Sequence, residues 1–240
     1  MRVEQQPGFI LHARAWRETS LLLEVLSREY GRVGLVARGV RSTRSRFSRS
    51  VLQPLAPLLL SWTGQGELAT LTAAEAAGAP LLLSGDALLC ALYLNELVTR
   101  LLPRNDAHPE LFADYTHALV RLAQPGPAAW TLRRFERDLL THLGYGVVLD
   151  SEADSGAPLE LGKEYAYRPE AGPVPWRGVA DGLRLRGSAL LALAHDRVPD
   201  AQDLIALRRL MRALISHHLD GPGLRAWAMF GASAQDDSAS

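Results

Sequence analysis

The hydrophobic pattern of the chain changes at Pro80, and this change constrains the fold more than any other feature. Before Pro80, apolar runs are short and are separated by glycine turns such as Tyr30-Gly31 and Gly64-Gln65-Gly66. This pattern is typical of β-strands, although Leu21-Leu22-Leu23 also fits a helix by periodicity alone. We predict five strands, over residues 8–15, 21–26, 32–37, 55–62 and 68–76.

After Pro80 the spacing of apolar residues becomes helical. We predict a helix with Ser84 as its N-cap that runs to about Leu102, then helices over 111–123 and 128–143. A last long helix has Asp200 as its N-cap and repeats apolar residues at helical spacing: Leu204, Leu207, Met211 and Leu214.

These elements predict an α+β protein with more than one domain. Residues 1–79 form a five-stranded β-barrel of the oligonucleotide-binding (OB) type, and residues 80–230 form an α-helical domain. Within the second domain, residues 144–186 are rich in Gly, Pro and acidic residues and are expected to be an irregular insert. The polar tail, 231–240, is expected to be disordered.

An arginine-rich stretch without acidic residues lies between Tyr30 and Gly66. Guanidinium groups without carboxylates nearby in sequence are suited to binding a phosphodiester backbone. The net charge of +0 for the whole chain hides this, because residues 1–80 hold 10 Arg against 6 acidic residues, whereas residues 81–240 hold 16 Arg plus Lys against 20. A solvated loop in an arginine-biased protein is the alternative, since Lys163 is the only lysine. The candidate phosphate-binding residues are Arg38, Arg41, Arg44, Arg46 and Arg49, with Arg14 and Arg32 beside them.

Aromatic residues accompany this basic stretch in sequence. Some are candidates for stacking on bases, and at least half are expected to fill the barrel interior instead. They are Phe9, Trp16, Tyr30, Phe47 and Trp62.

Motifs of catalysis and metal binding are missing from the sequence. Gly156 to Lys163 is not a phosphate-binding loop, because Glu164 would place negative charge where phosphate should lie. Adjacent His217 and His218 point about 100° apart on a helix, which is a poor chelating geometry. Cys90 is the only cysteine and is expected to be a buried thiol. We therefore expect no enzymatic activity, no metal, no cofactor and no small-molecule substrate.

Targeting signals are also missing. The N-terminal residues contain no apolar signal segment. The most apolar stretch, 81–102, is interrupted by polar and charged residues, so no membrane span is expected. The expected location is the cytoplasm, in association with the nucleoid.

In several segments the sequence resembles the RecO family of bacterial DNA repair and recombination mediators. The resemblance covers nearly the whole chain and follows the family's order. Its most characteristic stretch joins Gly31-Arg32-Val33 to Val36-Ala37-Arg38-Gly39-Val40-Arg41. The other segments are Phe9 to Arg14 with Trp16 and Glu18-Thr19-Ser20, Leu52-Gln53-Pro54, Glu75-Ala76, Tyr93 to Leu97, Arg133 to Glu136 and Leu143 to Gly146.

The resemblance implies an OB barrel, a helical domain, binding of single- and double-stranded DNA, and annealing of complementary strands. It implies partnership with RecR and with the acidic C-terminal tail of single-stranded DNA-binding protein (SSB), to help load RecA. Many members carry paired Cys-x-x-Cys motifs that hold zinc in the segment corresponding to 150–156, but this chain has no cysteine there. It therefore resembles a zinc-free branch.

The SSB tail implied by the resemblance ends in an apolar residue and a carboxylate. An arginine fork beside apolar side chains suits such a ligand. Arg133 is the best candidate, beside Leu132 and Phe135, and Arg134 and Arg121 are further candidates. The alternative for this helix face is an ordinary amphipathic helix in which Glu136 pairs within one turn. A sequence-tolerant RNA-binding OB module is the alternative function, and a nuclease or helicase accessory enzyme is a third that no residue cluster supports.

Overall fold

The computed structural model of this protein describes residues 1–40, 47, 50–178 and 183–228. Contacts divide the chain into two compact units. Unit 1 contains Met1–Gly126 and the segment from Leu224 onward, and unit 2 is Pro127–Gly223.

Unit 1 begins with a closed five-stranded barrel of order β1-β2-β3-β5-β4, in which β4 pairs back onto β1. Neighbouring strands are antiparallel except β3 and β5, which pair in parallel. Five short strands closed in this order form the OB fold, as the strand pattern predicted. The strands are β1 (Arg2–Trp16), β2 (Ser20–Ser27), β3 (Gly31–Ala37), β4 (Pro57–Thr63) and β5 (Ala69–Ala76).

The barrel is held together by the inward-facing side chains of its strands. Ile10, Leu23, Leu35 and Leu60 are fully buried there. β1 begins six residues earlier than predicted, at Arg2 instead of Gly8. The first part of β1 is mostly polar and exposed, and its register shifts against β4, so the sequence carries no hydrophobic signal for it.

One glycine fixes the start of β3. Gly31 has φ +63, and a Cβ atom at this position would lie 1.8 Å from the Asp106 carbonyl oxygen. Only glycine allows this close approach of β3 to the segment after the first helix. The Asn105 amide donates to the Arg32 carbonyl oxygen at 2.9 Å in the same place.

Five helices follow the barrel in the described part of the chain. Asp200 caps the last helix as predicted, because its side chain accepts a hydrogen bond from the Asp203 amide at 2.7 Å. Ser84 occupies the N-cap position of the first helix, but its side chain makes no capping hydrogen bond. The helices are α1 (Gly85–Leu101), α2 (Pro109–Leu122), α3 (Ala128–His142), α4 (Gly187–Ala194) and α5 (Ala201–His218).

A buried polar network joins α1 and α2 to the barrel within unit 1. Asn95 donates to the Leu11 carbonyl oxygen at 2.9 Å and accepts from the Tyr115 hydroxyl at 2.5 Å. Burial raises the pKa of Tyr115 well above its usual value. The hydroxyl therefore stays a donor, and the network fixes both helices on β1.

The segment expected to be irregular contains a small sheet, which corrects that expectation. β6 (Glu164–Arg168), β7 (Gly172–Pro175) and β8 (Arg184–Arg186) form three strands in the order β7-β6-β8. Proline normally argues against a strand, but β7 lies at the edge of the sheet, where a missing amide proton is tolerated. The short α4 was also not predicted, because its eight mostly apolar residues show no clear helical periodicity.

Two further expectations concern a membrane span and the chain end. No helix within the described residues is long and apolar enough to cross a membrane. The tail 231–240 lies outside the described residues.

Candidate nucleic-acid interface

The connection between β3 and β4 carries the basic stretch. Arg38 is exposed directly after β3, in a turn where Gly39 has φ +69. The connection is anchored to the barrel core at both ends by Val40 and Leu52, which are buried. Its return to β4 is held by the Leu55 amide, which donates to the Ile10 carbonyl oxygen at 3.4 Å. Both described ends of the connection are therefore packed against the barrel.

Four of the predicted phosphate-binding arginines, Arg41, Arg44, Arg46 and Arg49, lie outside the described residues. Phe47 between them is half-buried and packs against the barrel core.

A second basic feature lies at the end of β1. Arg14 is exposed, and its Cζ atom lies 5.8 Å from the centroid of the Trp16 ring, within the range of a cation–π contact. Arg17 follows in the β1–β2 turn, exposed and with φ +52. Arg17 was not predicted, since one arginine in a turn gives no sequence pattern. This turn therefore carries two cations and a half-buried ring, supplied by Arg14, Arg17 and Trp16.

Arg32, by contrast, is held inside unit 1. Its Nε atom donates to the Leu102 carbonyl oxygen at 2.7 Å, and its Nη1 atom lies 3.2 Å from Glu24 Oε2. Arg104 pairs with the same carboxylate. Burial lowers the pKa of Arg32, and Glu24 opposes this shift. β2 thereby supplies a carboxylate that linear sequence does not place beside Arg32, and a role for Arg32 in DNA binding stays a prediction.

The aromatic residues divide between core and surface. Phe9 and Trp62 are buried, and Phe9 packs against Tyr115 with ring centroids 5.2 Å apart. Trp16, Tyr30 and Phe47 are half-buried. These three are the rings that retain some surface for a base.

The predicted tail-binding residues on α3 are mostly buried. Arg133 is 5% exposed and pairs with Glu136, one turn later. Leu132 and Phe135 are buried too. The apolar side chains expected beside Arg133 are therefore covered in the structure, because they belong to the buried face of α3. A role for these residues in tail binding stays a prediction.

The remaining candidate arginines differ in their partners. Arg134 makes a bidentate pair with Asp196, with Nε–Oδ1 and Nη2–Oδ2 distances of 3.0 and 2.9 Å. Arg121 lies in the last turn of α2 and is exposed, with no ion pair to any of the described residues. Of the proposed tail-binding cations, Arg121 is the accessible one.

Unit 1 also contains an open cleft of about 450 Å³. Leu11, Leu89 and Leu92 supply an apolar lining, and Arg100 and Arg225 supply positive charge. Its Glu96 carboxylate accepts hydrogen bonds from the Arg225 and Ala226 amides at 2.8 and 2.9 Å. The cleft thus joins apolar surface to cations.

The zinc-binding arrangement of cysteine-containing relatives does not fit this chain. Cys90 is the only cysteine and is buried in α1, as predicted. Residues 150–156 carry carboxylates and a serine instead, and Ser151 bridges to Pro158 through the backbone. A tetrahedral thiolate site cannot be built from them.

The fold defines an OB-barrel protein with an appended helical region. The family described as recombination protein O, N-terminal, matches residues 1–80, and recombination protein O, C-terminal, matches residues 82–228. The chain therefore belongs to the RecO family of DNA repair proteins, as its sequence resemblance indicated.

Relatives of similar length support this assignment. The chain is 50% identical over 228 residues to the DNA repair protein RecO of Nitrosococcus oceani, covering 94% of this chain and 92% of the relative. It is 47% identical to that of Xanthomonas oryzae and 49% identical to that of Stenotrophomonas maltophilia, each covering 95% of this chain and 97% of the relative.

Proposed function

We propose that this protein binds single- and double-stranded DNA through the basic β3–β4 connection of its barrel and anneals complementary strands. The observation that carries the proposal is the β3–β4 connection, which holds five arginines and no acidic residue and is anchored on an OB barrel. Arg38, Arg41, Arg44, Arg46 and Arg49 supply the phosphate contacts. Arg14 and Arg17, beside Trp16, add a second contact at the β1–β2 turn.

Annealing is suited to a basic surface without catalytic groups. Two single strands repel each other through their phosphates, and bound arginines reduce this repulsion while base edges remain free to pair. No nucleotide hydrolysis is needed. The protein acts as a non-enzymatic mediator at the nucleoid.

The same function includes two protein partners. With RecR, the protein helps RecA assemble on single-stranded DNA coated with SSB. The SSB tail is engaged through a cation beside apolar surface, with Arg121 as the exposed candidate. Arg133, Leu132 and Phe135 are buried and Arg134 is paired with Asp196, so they are secondary candidates, and the unit 1 cleft is a further candidate location.

Strand annealing of complementary oligonucleotides coated with SSB, in the absence of ATP, tests the proposal. We expect the wild-type protein to accelerate annealing of both naked and coated strands. A variant with Arg38, Arg41 and Arg44 changed to Glu should lose both. Preference for RNA over single-stranded DNA at matched salt, without annealing, would instead support the RNA-binding alternative.

A further inference from the structure

Three side chains capable of binding a metal ion meet in unit 2. They are Glu170, His217 and His218, and one ligand atom from each lies within 4.8 Å of the others. The His217 Nε2 atom lies 3.0 Å from Glu170 Oε1. In the linear sequence the two histidines are a diverging pair with poor chelating geometry. The carboxylate that joins them lies 47 residues earlier, so the sequence pattern does not reveal it. The sheet supplies that third group.

Two elements hold these groups in place. Glu170 lies at the tip of the β6–β7 hairpin, where Arg168 pairs with Gly172, and its φ of +65 is unusual for a residue other than glycine. His217 and His218 lie in the last turn of α5, where the unpaired carbonyl groups favour a positive charge. Hairpin and helix end thus converge on one point.

The two imidazole rings are also oriented. His218 stacks on Tyr145, with ring centroids 3.8 Å apart and an angle of 11° between the planes. The His217 ring stands almost perpendicular to it, at 81° and 5.0 Å. The stack restricts His218, whereas the side chains of His217 and Glu170 are 44% and 70% exposed and can adjust. Ligand atoms around tetrahedral zinc lie about 3.3 Å apart, so a small movement of the exposed side chains completes the geometry.

We propose that Glu170, His217 and His218 form an exchangeable binding site for a divalent transition-metal ion such as Zn²⁺. Two nitrogen ligands and one carboxylate select this class of ion over Mg²⁺ and Ca²⁺, which prefer oxygen ligands. Three protein ligands leave a fourth position for water. The ligands are imidazole and carboxylate groups, so the site differs from a cysteine-based zinc centre. A bound ion would link the β6–β7 hairpin to the end of α5.

Calorimetric titration of the full chain with ZnCl₂, after dialysis against chelator, tests this site. The wild-type protein should bind one equivalent, and its melting temperature should rise with Zn²⁺ because the ion binds the folded state. His217→Ala and Glu170→Gln each remove one exposed ligand and should weaken Zn²⁺ binding by at least about 10-fold. Mutating even the groups that only hydrogen-bond to metal ligands typically lowers metal affinity by about that much.

His195→Ala is the matched control, since His195 is an exposed histidine of unit 2 outside the cluster. The His195→Ala variant should bind Zn²⁺ like the wild type. Mg²⁺ should leave the melting temperature unchanged. Co²⁺ provides an optical check, since coordination by nitrogen and oxygen ligands gives visible absorption that His217→Ala should lose. Unchanged Zn²⁺ affinity in both ligand variants, or the lack of saturable one-to-one binding by the wild type, would overturn the proposal.

Discussion

Arg32 on β3 and Glu24 on β2 form an ion pair, with Arg32 Nη1 3.2 Å from Glu24 Oε2, and both side chains are largely buried. The same arginine reaches the end of α1 through the Leu102 carbonyl oxygen. A cation of the basic segment thereby joins the barrel to the helix that follows it. Within one stretch of sequence, Arg32 thus has a structural partner, whereas Arg38 is exposed and is a candidate for DNA binding.

We expect Arg32→Ala to lower the free energy of unfolding by about 1–3 kcal/mol, because Glu24 and the Leu102 carbonyl lose a charge-assisted partner. Urea unfolding measures this change. Arg38→Ala is the control and should stay within about 0.5 kcal/mol of the wild type, since Arg38 is exposed. If Arg32→Ala were as stable as the wild type yet weaker in DNA binding, Arg32 would be a DNA contact instead.

The basic connection should determine how DNA affinity depends on salt. Replacing Arg38, Arg41 and Arg44 by Glu should weaken single-strand binding and flatten the plot of log K against log salt by about 0.7 per lost contact. Fluorescence anisotropy over a salt series measures the slope. The matched control changes the charge equally in unit 2, at Arg168, Arg184 and Arg197, which are exposed. An unchanged slope in the connection variant would identify the segment as solvated surface.

Arg121 and Arg133 should differ in what their loss affects. Arg121→Ala should lower affinity for an SSB tail peptide about 10- to 150-fold, the effect of losing about 1.5–3 kcal/mol from one charge-assisted contact, without changing stability. Arg133→Ala should lower the free energy of unfolding by about 3–5 kcal/mol, because the Glu136 carboxylate stays buried.

The double change Arg133→Met and Glu136→Leu separates folding from binding. It should recover stability, since both charges are removed together. Normal peptide affinity in the double variant would assign Arg133 a structural role, and lost affinity would return it to the tail site. If Arg121→Ala binds the peptide normally, Arg225→Ala tests the unit 1 cleft.

Zinc that resists dialysis should be missing from the purified protein. With one buried cysteine, no closed thiolate site forms, and the three-ligand cluster of unit 2 is half-exposed and exchangeable. Elemental analysis of protein purified without added zinc should find well under one equivalent. A stoichiometric ion retained through dialysis would require a structural site in the segment 144–186.

His218 should titrate below its usual pKa, because burial lowers the pKa of its imidazole and His217 lowers it further. The unfolded chain then binds a proton more readily than the folded chain. The lowered pKa of His218 therefore stabilises the folded protein at pH values above the pKa of the unfolded chain. This stabilisation is lost as the pH falls toward the pKa of the folded chain. An NMR pH titration measures the pKa, and His217→Ala should raise it. A pKa at or above 6.5 would contradict the stacked, desolvated geometry.

Sequence patterns predicted the local structure well where the pattern is strong. The five strands and four of the helices follow from apolar periodicity and turn residues, and Asp200 is a cap that sequence and structure share. Edge and polar segments were missed, namely the start of β1 and the small sheet around β6, because little of their stability comes from an apolar face. The candidate cations of the β3–β4 connection are likewise visible in sequence, since no acid lies between them.

The sequence by itself therefore determined most of the strands and helices and the basic connection, because these depend on neighbours close along the chain. Only the tertiary structure decided which charges are buried and which distant carboxylates accompany them. Glu24 neutralises Arg32 across two strands, Glu136 accompanies Arg133 into a buried site, and Glu170 meets His217 from a hairpin. A neighbouring carboxylate decides whether an arginine or histidine is paired or available to a ligand. Folding brings that carboxylate close from a distant part of the sequence, or buries it together with its partner.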